Sequence, residues 1–178
     1  VVADEADVST TGLTISATGV SGEKSDSSAE AKSGAGAGNV GVAGSLAINV
    51  ATNTTVALLE GNTDSDAVVA QVDANGGAVL VEAQNATTSA AKVTADVKGT
   101  GGSAKVGVGA SIGVNVGVNT TVAEVADQTR LTDAGSVGLN ATADHAMTTE
   151  VTGGASGAKV SITPVVAASI AVNTTTVR

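Results

Sequence analysis

The sequence predicts an all-β chain whose repeated units stack on one another, and three observations carry that prediction. One long motif recurs three times without a gap. Each copy alternates aliphatic and small residues with a period of two, the pattern of a strand. Phe, Tyr and Trp are absent, so any core is thin and filled by Val, Ile, Leu and Ala, without the large units of buried area that aromatic rings supply.

The long motif reads Val40-Gly-Val-Ala-Gly-Ser-Leu-Ala-Ile-Asn-Val-Ala-Thr-Asn-Thr-Thr55, then Val106-Gly-Val-Gly-Ala-Ser-Ile-Gly-Val-Asn-Val-Gly-Val-Asn-Thr-Thr121, then Val160-Ser-Ile-Thr-Pro-Val-Val-Ala-Ala-Ser-Ile-Ala-Val-Asn-Thr-Thr175. A second motif keeps step with it: Leu13-Thr-Ile-Ser-Ala17, Val79-Leu-Val-Glu-Ala83 and Val137-Gly-Leu-Asn-Ala141. Gly-rich breaks precede each long motif. Two motifs that hold their order and near-equal spacing define a repeat.

Within the long motif the β-branched and leucine positions share one face, as strand propensity favours. That face is expected to be the core: Val42, Leu46 and Ile48, then Val108, Ile112 and Val114, then Ile162, Val166 and Ile170. The other face is nearly flat and suits solvent or a closely packed second layer.

No single unit can bury its aliphatic face, so the copies must stack, and stacked strand-rich units make a β-solenoid, here a parallel β-helix. One continuous segment over 1–178 is expected, with units near 12–77, 78–135 and 136–178. Segments such as Asp133-Ala-Gly-Ser-Val-Gly-Leu-Asn-Ala141 read as one turn and one short strand, which suggests three coils of about 20 residues per unit. At a rise of about 4.8 Å per coil, eight or nine coils would form a rod on the order of 40 Å long. Asn-Thr-Thr recurs at Asn53, Asn119 and Asn173, followed by Thr55, Thr121 and Thr175. Asn turns corners well and, stacked on identical residues, forms hydrogen-bonded ladders.

A net charge of −9 disfavours nucleic acid and anionic membranes as partners, since both need a basic footprint. The absence of Cys excludes disulfides, Cys-ligated zinc and thiol chemistry. Residues 33–59 carry no charge and are long enough to span a bilayer, but their Gly, Thr and Asn suit neither lipid nor helix. A membrane barrel would need aromatic girdles. The chain begins without a Met or a leader and ends inside a repeated motif, so a section of a longer chain is expected.

The run Gly107 to Glu124, followed by Asp133 to Ala141, resembles the repeat regions of giant bacterial surface proteins: autotransporter and filamentous-haemagglutinin-like adhesins and leukotoxin-type filamentous adhesins. The resemblance implies a right-handed parallel β-helix stalk, exported to the cell surface and serving adhesion or matrix and filament building. Its partners would be neighbouring repeats, copies of itself end to end, or host and matrix glycans or proteins. It carries no catalytic residues.

Little in the chain looks like a reactive centre. His145 is the sole histidine, with Asp144 and Glu150 near it in sequence. Ser45, Ser111 and Ser169 have no common base, and a nucleophile needs one tuned setting. No enzyme and no cofactor are expected; the one metal candidate is a calcium loop at Asp64 and Asp66, because calcium takes converging oxygens. Five Asn-x-Thr sequons, at Asn53, Asn85, Asn119, Asn140 and Asn173, are glycan acceptors in some secretory settings. The second functional class is a ligand-binding solenoid, for carbohydrate or ice, with hydroxyl rows at Thr54-Thr55, Thr120-Thr121 and Thr174-Thr175.

Overall fold

Equivalent residues of successive repeats lie side by side. In the computed structural model, which describes residues 6–19, 24–61, 70–99, 104–156 and 158–178, Val40 pairs with Val106 and Asn53 with Asn119. Val160 then pairs with Val106 from the other side, and Asn173 with Asn119. Every strand pairing among the described residues is parallel, and no helix occurs among them.

The elements are β1 (Asp7–Ser9), β2 (Leu13–Thr18), β3 (Ser25–Ala37), β4 (Val40–Leu59), β5 (Ala70–Asp73), β6 (Ala78–Gly99), β7 (Ala104–Val125), β8 (Thr129–Thr132), β9 (Ser136–Ser156), β10 (Ala158–Ile162) and β11 (Val165–Val177). They form three sheets. A small sheet has the order β1-β5-β8; a second sets β2 and β3 on one side of β6 and β9 on the other; a third sets β4 on one side of β7 and β10 with β11 on the other. The chain passes through the small, second and third sheets in that order, three times.

This pairing corrects the expectation of three short coils per repeat. A residue's partner in the third sheet is 66 positions on and then 54 positions on, so each repeat supplies one layer to each sheet, and each sheet is three repeats deep rather than eight or nine. The reason is strand length. The strands run unbroken through 20 residues of β4 and 22 each of β6 and β7, and β-branched residues at most outward positions of β4 and β7 hold the backbone extended across the Gly and Asn between them. The backbone turns instead between sheets, at Gly38 and Asn39 between the second and third and at left-handed residues between the small and second. Asn75 (φ 44°), Gly76 (φ 78°) and Asp133 (φ 48°) are left-handed there, which Asn, Asp and Gly tolerate. These corners stack, with Gly135 N–H donating to Gly77 O at 2.9 Å.

The second and third sheets pack face to face. Where the small sheet joins them, an apolar cluster gathers Ile15, Leu59, Val72, Val79 and Val81 with Ala57, Ala83 and Ala123. A smaller cluster of Ala43, Ala95 and Val97 lies apart from it. The third sheet contributes its small residues to this interior. A Cβ on Gly113 would sit 2.6 Å from Val151 Cγ2 and 3.2 Å from Val93 Cγ2, and one on Gly109 would run into the backbone of Gly154.

The aliphatic face of the third sheet is therefore turned outward, contrary to the core expected from the sequence. Val42 is 67% exposed and Ile48 57%. Leu46, Ile112, Ile162, Val166 and Ile170 are exposed as well, while Val108 and Val114 lie half-buried on the same outer face. The second sheet already fills the interior with Val93, Val97 and Val151, leaving room opposite them only for Gly, Ala, Ser and Asn. Slipping a strand by one residue would exchange its faces wholesale.

One consequence is checkable at Gly44, where an added side chain would meet nothing within 4 Å. Gly44→Val is expected to leave the fold intact and raise stability by up to about 1 kcal/mol, because Val favours a strand and loses less backbone entropy than Gly. Thermal unfolding followed by circular dichroism measures this.

Candidate functional site

Between the two apolar clusters the interior is polar. Asn49 on β4 and Asn115 on β7 are paired by register, and both are buried. Asn49 Nδ2 donates to Asn115 Oδ1 at 3.1 Å and to Ser89 Oγ at 2.9 Å, and Ser27 Oγ donates to Asn49 Oδ1 at 2.7 Å. Asn115 Nδ2 donates to the carbonyls of Ser89 and Thr148, both at 3.0 Å, and its Oδ1 also accepts from Ser89 Oγ. Two serines of the repeat do the same further along: Ser45 Oγ donates to Thr94 O and Ser111 Oγ to Thr152 O, each at 2.7 Å. These bonds stitch the third sheet to the second. Buried amides satisfied this fully cost little as they stand and much if shifted.

Asn53, Asn119 and Asn173 form a ladder along the stack. Asn53 Nδ2 donates to Asn119 Oδ1 at 3.0 Å, and Asn119 Nδ2 to Asn173 Oδ1 at 2.8 Å. They lie inside strands rather than at corners. The following threonines separate by parity: Thr55, Thr121 and Thr175 share the inward side, where Thr121 is fully buried, and Thr54, Thr120 and Thr174 share the outward side. The paired hydroxyl rows expected for ligand binding are thus divided between interior and surface. A cavity of about 40 Å³ beside the ladder, lined by Asn53, Thr87, Asn119, His145 and Met147, is water-sized rather than ligand-sized.

His145 faces inward, with its Nδ1 2.8 Å from Thr87 Oγ1. Asp144 and Glu150 are on the opposite face of β9, bonded to Lys24 and Lys92, so the three residues that are neighbours in sequence do not converge on one site. Asp64 and Asp66 lie outside the described residues, and no group of three potential metal ligands occurs among those described. Of the sequons, Asn85 and Asn119 are buried and Asn53 and Asn173 are engaged in the ladder. Asn140 points outward, bonded to Glu82.

The two outer faces differ in kind. On the second sheet they carry Glu30 with Lys32, Lys92 with Glu150, Asp96 with Lys98 and Asp144 with Lys24 as ion pairs. On the third sheet the outward rows from Val40, Val106 and Val160 to Val56, Val122 and Thr176 hold no charged residue, and the Glu124–Arg178 ion pair lies just beyond them. Among the described residues no helix is long and apolar enough to cross a membrane.

The hydrogen bond and charge of Lys24 hold the Asp144 carboxyl below its ordinary value of 3.8, and those of Lys32 hold Glu30 below 4.5. A lowered carboxylate contributes stability that is present above its unfolded pKa and is lost as pH falls through the folded one. Any loss from these pairs is therefore confined to pH below about 4.5, and it is small because exposed pairs are screened. Lys24→Ala is expected to lower the unfolding midpoint slightly at pH 7 and to leave it unchanged at the acid end of a pH titration, so that the acid limb becomes shallower.

Comparison with family models, with curated proteins and with solved structures finds no match to this chain.

The sequence reading missed the interior role of Asn49 and Asn115. Their recurrence at one repeat position, framed by small residues, was the available signal, because an amide aligned with its own copy can pair with it.

Proposed function

We propose that the chain is a segment of a right-handed parallel β-helix, a structural and adhesive rod of an extracellular bacterial surface protein or fibre. The observation that carries this reading is the in-register parallel pairing of equivalent residues in successive repeats, from Val40 with Val106 to Asn119 with Asn173. A fold that grows by identical pairing can be lengthened by adding repeats, each bonded only to its neighbours. β4 and β11 end the third sheet with one unpaired edge each among the described residues, and open edges accept a further strand. The hydrogen-bonded Asn pairs along the stack support the same reading, since they reward identical neighbours. The chemistry is that of a scaffold, not an enzyme, and the resemblance to adhesin repeats supplies the extracellular setting and the adhesive role.

Electron microscopy of chains carrying one, two and four tandem copies of the sequence tests the rod. Length should increase by about 14 Å per copy at constant width, from three strand spacings of 4.8 Å. A particle that grows equally in all directions would overturn it. The adhesive half is tested by displaying the chain on a non-adherent bacterium; attachment to epithelial or matrix-coated surfaces no greater than that of undecorated cells removes it.

A further inference from the structure

We propose that the outward face of the third sheet is a self-association surface whose occupant is the same face of a second copy of this chain. The face consists of β4, β7 and β10 with β11, side by side and flush in register. Its outer rows are Val42, Val108 and Ile162, then Leu46, Ile112 and Val166, then Val50, Val116 and Ile170. Val42 at 67%, Leu46 at 58% and Ile170 at 53% are more exposed than covered.

The area fits a dimer. Strands rising 3.3 Å per residue and set 4.8 Å apart make the uncharged stretch roughly 50 Å by 14 Å, or about 700 Å² per copy. That exceeds the largest apolar patch of an ordinary monomer, about 300–600 Å². Two such faces together bury about 1,400 Å², within the range of specific interfaces. Flat sheets with aliphatic rows interdigitate at about 10 Å, as in a sandwich, and a two-fold axis brings the same surface from both copies and closes the assembly at two.

Electrostatics point the same way. The charged residues of the second sheet lie on the far side of each copy, so face-to-face pairing leaves several layers between them, beyond the Debye length of about 8 Å. A lipid surface is the poorer occupant: helices and loops that rest on membranes use aromatic and basic residues, and this chain has no aromatic residue and a net charge of −9.

Sedimentation velocity over a range of concentrations tests the proposal. The chain is expected to sediment as a closed dimer at micromolar concentration. Val114→Glu, at the centre of the face and distant from the stacking ends, should raise the dissociation constant at least about 100-fold by burying an unpaired charge. A triple replacement by Thr at Ile112, Val114 and Val116 keeps strand propensity and should also yield monomers, with an unchanged circular dichroism spectrum. A monomer at high concentration, a dimer indifferent to both variants, or flotation of the monomer with neutral phosphatidylcholine vesicles would each overturn it. Open-ended polymers that survive both variants would overturn the face and leave the rod standing, because end-to-end growth uses the strand edges.

Discussion

Replacing Gly109 by Ala is expected to destabilise the protein by about 3 kcal/mol or more, the upper part of the range for overpacked interiors. Gly109 lies on the central strand of the third sheet, facing the second sheet, and the position of its absent side chain is occupied by the backbone of Gly154. The approach is mutual: a Cβ on Gly153 would lie 2.8 Å from Gly109 O. Side chains can rotate away from a new methyl group, but main chain held in two hydrogen-bonded ladders cannot, so relief requires the sheets to separate. For a chain of this length the midpoint should fall by roughly 6–12 °C. Gly44→Val, compared in the Val114→Glu background where the outward face is not paired, serves as the control, because it adds a larger side chain to the same sheet on the side away from the second sheet. If Gly109→Ala unfolds within a degree or two of the parent, the sheets do not approach at this point.

The second large effect is expected at Asn115. Asn115→Val fills nearly the same space but removes an amide that bonds two carbonyls, Ser89 O and Thr148 O, and accepts from Asn49 and Ser89. Each buried partner left without a bond costs about 1–3 kcal/mol, so a loss of about 3–5 kcal/mol is expected, measured by denaturant unfolding. A Val variant as stable as the parent would show that volume alone matters in the seam. Asn53→Val should cost less, because Asn53 is only half-buried and sits on an outer strand with a single ladder bond. The order of the two losses is as informative as their size.

Both effects arise where the sequence was legible in pattern but silent about direction. The repeat, the strand period and a turn at Asp133 could be read from residue types alone, since each follows from local sterics and hydrogen bonding. Asn53, Asn119 and Asn173 could be aligned, and aligned residues of a parallel stack must neighbour one another. The face that would be buried could not be read. Val42, Leu46 and Ile48 are the most apolar residues of their strand and by composition belong inside; the structure has Ala43, Ala47 and Asn49 buried instead. Period two specifies that a strand has two faces without specifying which one meets a partner.

The length of the strands was undetermined for a related reason. Gly and Asn break a strand only where the backbone leaves the extended region. In β4 and β7 all of them but the outward-facing Gly44 occupy inward positions, most of them where the second sheet comes too close for larger side chains, and the backbone stays extended through them. At Asn75 and Asp133 the same residue classes make the turn.

The sequence by itself determined that this protein is made of three like units, that these units are strands, and that equivalent residues stack, because those properties depend on local sterics and on identity between copies. Only the tertiary structure decided that each unit supplies one layer to each sheet and that the aliphatic face looks outward. Those outcomes depend on the volume and hydrogen-bonding groups that a different sheet, distant in sequence, brings to the same interior.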